Sequence, residues 1–187
     1  MYRAVAWKAL HDRLPLDNED GVAALARRAT LHVGPSSVII DGHDVTNDIR
    51  TPEIDRAAAA TARLPKVRAM LVERQRKEGE NGGIVMEGRD IGSVVFPNAD
   101  VKIYLDASPE ERARRRAADP AHGVSGAAAA VDVATEMAAR DQSDRTRATS
   151  PLTIPKDAIE VNTTGLSIEE TVDQVLAIVN RALTARG

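Results

Sequence analysis

Arginine and aspartate recur together in the parts of this sequence best suited to chemistry. The first is "EGRDIGSVVFP", residues 87–97, directly after the apolar run "GIVME". Arg89 offers a planar fork for a phosphate, and Asp90 an acceptor for an amine or hydroxyl group. Gly88 and Gly92 permit close backbone approach, and in open parallel sheets ligands sit beyond the carboxyl ends of strands. A solvated ion pair in a turn is the competing reading. The second lies on a helix expected from about Asp132, where Val133 and Met137 start an inward face that continues through Arg140, Asp144 and Arg147. A surface i, i+4 pair between Arg140 and Asp144, worth about 0.2–0.5 kcal/mol, is the alternative. The third is "ERARRR", in which Arg112, Arg115 and Arg116 share a helix face. Cations there complement a helix dipole, but they also precede "ADPAHGVSGAAAA", a segment without apolar period that reads as a mobile loop. An arginine cluster beside such a loop suits a lid over phosphates. Together the three point to phosphoryl transfer, where catalysis is mostly positioning and charge neutralisation.

Other chemistries fit less well. The net charge of −3 and only four aromatic residues argue against a nucleic-acid partner. His11, His32, His43 and His122 show no metal-ligand spacing, so no protein-held metal is expected. Neither a "GxSxG" elbow nor a "GxGxxG" fingerprint occurs. The 187 residues contain no cysteine, no apolar run long enough to span a bilayer and no charged-then-apolar leader. A cytoplasmic protein with no membrane partner is expected.

Positioning these arginines requires a frame. "MYRAVAWKAL" places Tyr2, Val5, Ala6, Ala9 and Leu10 at helical spacing, yet no capping residue precedes it. Asp17 is expected to cap a second helix reaching Arg28. "LHVGPSSVIIDGHDV" reads as an antiparallel hairpin with a "DG" turn. Thr51 with Pro52, and then Pro65, open two further helices, so residues 31–78 form an α+β lobe. Three β-branched runs, "GIVME" (83–87), "VKIYLD" (101–106) and "AIEVN" (158–162), alternate with helices and predict a parallel sheet buried on both faces. "SPEE" and "SIEE" are capping boxes, and Ile168, Val172, Val175, Val179 and Leu183 mark the core stripe of the last helix.

Read in order, "MYRAVA", "DVTNDIRTPEI", "LPKVR", "MEGRDIGSVVFPNADVKIYLDASPEERARRR" and "RDQSDRTRATSPL" resemble the bacterial cytidylate kinases, from the first residue to the last helix. The resemblance implies an α/β fold: a P-loop NTPase-type parallel sheet flanked by helices. The core would comprise residues 1–30 and 79–187, with a small lid near 117–129 and a monophosphate-binding insert at 31–78. It implies transfer of the γ-phosphate of ATP, with Mg2+, onto CMP or dCMP by a monomer. Arg3, Arg89 and Arg147 match the arginines on the CMP phosphate. Arg140 and Asp144 match the pair around the ribose, Arg68 and Asp90 the cytosine readers, and Arg115 and Arg116 the lid arginines that neutralise charge during transfer. Ala59 stands where many relatives have a serine, and Thr61 is the nearest substitute.

The family also begins with a strand and G-x-x-x-x-G-K-[ST], whereas these 187 residues contain no "GK" dipeptide. The expectation is an N-terminal truncation at an internal methionine that removes the first two core strands, the P-loop and its helix. Such a chain should lack kinase activity on its own and fold poorly, because a central strand is lost. A catalytically dead CMP-binding or regulatory module is the alternative.

Overall fold

Burial rather than capping holds the opening helix. In the computed structural model, α1 (Tyr2–His11) has Met1 at its N-cap with no side-chain bond, while Ala4, Val5, Ala6 and Ala9 are fully buried. The residues described are 1–119, 135, 137–139, 141–142, 146 and 152–185. They fall into two units, Met1–Val85 and Met86–Gly187.

In the first unit, α2 (Glu19–Arg28) is capped by Asn18, whose side chain accepts from Gly21 N at 3.0 Å. This corrects the expectation of Asp17. A Cβ at Gly21 would come within 2.9 Å of the Asn18 amide, so glycine lets the cap close. The strands β1 (Leu31–Val33), β2 (Val38–Ile40) and β3 (His43–Asp44) form an antiparallel sheet in that order. Ile40 pairs with His43 across Asp41 and Gly42, which have φ of 48° and 80°. Both positive values match the two-residue turn that "DG" predicts. Thr51 accepts from Ile54 N to cap α3 (Pro52–Thr61), and α4 (Pro65–Glu78) follows.

Val5, Leu25, Ile40, Val67 and Leu71, almost wholly buried, gather these elements into one core. Ala6 packs with Ala57 and Ala58, whose short side chains let α1 and α3 approach closely. Trp7 stacks on His11 with ring centroids 4.7 Å apart, and His43 lies 5.6 Å from Trp7.

In the second unit a π-helical turn, Ile91–Val95, leads to β4 (Ile103–Asp106) and α5 (Pro109–Ala118). Later come β5 (Ile159–Asn162) and α6 (Ile168–Thr184). The strands β4 and β5 are parallel, with Ile103 opposite Ile159 and Asp106 opposite Asn162. The Lys102 ammonium, itself buried, fixes the start of β4 by donating to Pro97 O and to both Asp157 oxygens. Ser108 caps α5, but the capping box expected of "SPEE" is only half formed, because Ser108 N donates to Thr164 Oγ1 and Glu111 accepts from Arg114 and Arg115; Ser167 with Glu170 forms a full capping box on α6.

Three expectations are corrected in this unit or at its border. Residues 83–87 form no strand: they have no ladder partner among the described residues, and Val85 is 100% exposed. A strand is stable only when its N–H and C=O groups are paired. The β4–β5 pair is not buried on both faces, since Leu105 and Ile159 are exposed. The α6 stripe is not core either: Ile168, Val172 and Leu183 are exposed and only Ile178 is buried. Amphipathic pattern shows which face a helix can bury, not that a layer covers it. None of the helices among the described residues is long and apolar enough to cross a membrane.

Candidate active site

Helix α1 brings Arg3 to α3 by its first turn. The Arg3 guanidinium donates from Nη1 to Ile49 O at 2.8 Å, and its Nη2 lies 2.5 Å from Asp55 Oδ1 in an ion pair. Asp55 is buried and sits in the first turn of α3, where the positive end of the helix dipole favours a carboxylate. Arg68, projecting from α4, is also buried. Its guanidinium carbon lies 5.8 Å from the Tyr2 ring centroid, and Nη1 donates to Ala62 O at 3.2 Å. Tyr2 and Arg3 are thus neighbours on α1, the Tyr2 ring lying beside Arg68 of α4 and Arg3 pairing with Asp55 of α3. Thr61 is wholly buried, and its hydroxyl donates to Ala57 O at 2.8 Å. Its proton is spent on its own helix, and the substitute contact expected of it is not presented at the surface.

In the second unit, Arg89 and Asp90 lead into the π-helical turn, a backbone form that often marks functional sites. Val94 N and Val95 N both donate to Asp90 O, and the Asp90 side chain is buried. Both glycines lie where the chain's own side chains crowd the backbone. A Cβ at Gly88 would meet Ile91 Cγ1 at 2.8 Å, and one at Gly92 would meet Lys102 and Pro155 at 3.3 Å. Arg89 Nη1 donates to Asp141 Oδ1 at 3.0 Å, and Arg112 Nη2, from α5, donates to Asp141 Oδ2. Burial raises the pKa of the Asp141 carboxyl, but the hydrogen bonds from Arg112 and Arg89 outweigh it and hold the group below its ordinary value.

Arg115 lies in the last turn of α5 and is tied to the segment after β5. It donates from Nη1 to Thr163 Oγ1 at 2.9 Å, from Nη2 to Thr163 O at 2.6 Å, and from Nε to Glu111 Oε1 at 2.8 Å. Thr163 in turn donates through its hydroxyl and its N–H to Asp106 O, the end of β4. Arg115 therefore joins helix, strand end and loop in this structure. The hydrogen bond from Arg114, with Arg115 adding to it, lowers Glu111 to about 2. Arg116 is half-buried in the same turn.

Arg140, Asp144 and Arg147 lie outside the described residues, as do positions 120–129 of the expected lid. The described positions between 135 and 146 are helical, in keeping with a helix from about Asp132. No motif in the sequence marks Asp55, Asp141 or Thr163. Asp141 adjoins Arg140, but one residue turns about 100° around a helix and takes it off the stripe that drew attention. Its signal was a further acid in a basic segment. Asp55 showed only as an acid in the first turn after the Thr51 cap, which reads equally as dipole complement.

The cytidylate kinase family model matches residues 1–181. The chain belongs to the cytidylate kinase family. It is thereby a nucleoside monophosphate kinase by family, a class of phosphotransferase. Among its relatives, the cytidylate kinase of Desulfitobacterium hafniense is 47% identical over 183 residues, covering 96% of this chain and 78% of that protein. The cytidylate kinase of Geobacillus sp. is 44% identical, covering 98% of this chain and 83% of its own. The cytidylate kinase of Solibacter usitatus is 44% identical, with 98% and 80% covered.

Proposed function

We propose that this cytidylate kinase family member binds CMP or dCMP and presents its phosphate for phosphorylation by ATP, to give CDP or dCDP. The observation that supports this most directly is the Arg89–Asp90 pair at the mouth of the π-helical turn, with Arg89 oriented by a carboxylate, in a chain matched to the family over residues 1–181. Arg3, Arg89 and Arg147 hold the monophosphate. Arg68 and Asp90 read cytosine, and Arg140 with Asp144 engages the ribose. Arg115 and Arg116 neutralise charge as the phosphoryl group moves, helped by Arg89 and Arg147. Residues 31–78 act as the monophosphate-binding insert on a core of 1–30 and 79–187, with a lid near 117–129.

Guanidinium groups suit this work because they stay charged and bind phosphate oxygens bidentately. Bound to fixed partners, they lose little freedom when the anion arrives. In this reading the donor is ATP with Mg2+, which supplies charge neutralisation between the phosphates. Among the described residues no group of three or more His, Cys, Asp or Glu side chains is gathered as a metal cage. The absence of a "GK" dipeptide in its 187 residues favours binding without transfer as their behaviour in isolation.

Calorimetry and thermal shift test this. CMP is expected to bind and raise the melting temperature, cytidine much less, and Asp90→Ala to abolish the CMP shift. A folded chain that shows no shift with CMP overturns the reading. No CDP should form from CMP and ATP with these residues alone; turnover at an ordinary kinase rate, on the order of 1–100 per second, would remove the claim that they bind without transferring.

A further inference from the structure

We propose that Asp141 is a positioning residue for substrate phosphate, acting through Arg89; this rests on the assignment of Arg89 to the CMP phosphate above. Two guanidinium groups, 52 and 29 residues away in sequence, converge on its two oxygens. Arginine remains ionised in proteins, so Arg89 and Arg112 would repel each other if brought together without an acid between them. The Asp141 side chain is only 15% exposed, which shields the pairing from solvent. One carboxylate is thus shared between two guanidinium groups, and its charge holds Arg89 in place.

The geometry separates this role from simple cross-linking. Arg89 Nη1 is held by Asp141 Oδ1, and a planar guanidinium pinned at one nitrogen has the direction of its remaining donors set. Arg112 occupies the other oxygen, so the carboxylate cannot rotate to follow Arg89 away from the site. Loss of the charge at Asp141 should therefore alter what binds a phosphate and leave what binds a nucleoside.

The test compares CMP with cytidine by calorimetry on the full chain. Asp141→Asn keeps the shape and an acceptor oxygen but loses the charge. It is expected to weaken CMP by about tenfold, the scale of one charge-assisted hydrogen bond, with cytidine unchanged. Arg89→Ala should weaken CMP as well, and adding Asp141→Asn to it should cost nothing further. Equal losses for CMP and cytidine, or additive losses in the double variant, overturn the positioning role. Should the Asn variant fail to fold, Asp141→Glu carries the test: it should cost about threefold in CMP alone, and an unchanged CMP affinity overturns the role. If the unaltered chain does not prefer CMP to cytidine, the functional reading itself falls. If it does, and Arg89→Ala removes the preference while Asp141→Asn does not, only the Asp141 inference falls.

Discussion

The two units spend their apolar residues differently. In Met1–Val85 the apolar faces of four helices and a three-stranded sheet converge, and Val5, Val22, Leu25, Ile40, Val45, Val67 and Leu71 are almost wholly buried. In Met86–Gly187 polar links join the described elements: Lys102 to Asp157, Arg115 to Thr163, and Asp141 to Arg89 and Arg112. Its amphipathic helix α6 leaves Ile168, Val172, Leu176 and Leu183 exposed. Identical kinds of sequence pattern thus give a closed core in one unit and displayed faces in the other. Pattern specifies which surface is available; burial requires a second surface.

The sharpest way to break this contrast is a matched pair of leucine truncations. Leu71→Ala, at a wholly buried site in α4, should cost about 2–5 kcal/mol, because transfer energy is lost and a cavity remains. Leu176→Ala, at a site 52% exposed in α6, should stay within about 0.5 kcal/mol. Urea unfolding followed by Trp7 fluorescence reads the first unit, since Trp7 is the sole tryptophan, and far-ultraviolet circular dichroism with amide exchange along α6 reads the second. Similar losses at both sites would show that α6 is covered in solution.

This contrast also explains what the sequence made legible. Local chemistry was readable where a few neighbouring residues decide the outcome: the Asp41–Gly42 turn, the caps at Thr51, Ser108 and Ser167, and the parallel pairing of 103–106 with 159–162. The error at Asp17 was one residue, because Asn18 can cap as well as aspartate and its neighbour Gly21 leaves room. Residues 83–87 and the α6 stripe misled for a different reason: their fate depends on partners distant in sequence. Candidate residues with conspicuous surroundings, Arg89 and Asp90, are visible in the sequence. The acids that pair with candidate arginines, Asp55 with Arg3 and Asp141 with Arg89, are not, because such an acid is defined by what it touches and carries no motif of its own.

A smaller effect should sharpen the polar half of the comparison. Arg115→Met keeps an unbranched stem but removes the donors to Thr163 Oγ1 and Thr163 O. Thr163 is buried, so acceptors left without partners should cost about 1–3 kcal/mol. Arg114→Met, which removes a pairing made by an exposed arginine, should cost much less. Amide exchange at Thr163 and Leu166 measures the difference. If both variants behaved alike, the link from α5 to the end of β5 would be a surface pairing and not a joint of the unit.

The smallest expected effect is in acid. Glu111 falls from an ordinary 4.5 to about 2, led by the Arg114 hydrogen bond, and Asp141 is also held below its usual value because the bonds from Arg112 and Arg89 outweigh burial. A carboxyl whose folded pKa lies below its unfolded one binds fewer protons when folded than when unfolded across that interval. Its contribution is complete above the unfolded value and disappears as the pH falls through the folded one. The second unit should therefore lose stability progressively below 4.5 and on toward about 2, while Glu111→Gln flattens part of that slope. Amide exchange in α5 and β5 across the same interval would register it. Because the charges around Glu111 are exposed, added salt should diminish the slope, whereas the buried packing around Leu71 should be indifferent to it. A slope in α5 that salt leaves untouched would mean that the unit is held in acid by burial after all, and the division between a packed unit and a polar-stitched one would have to be redrawn.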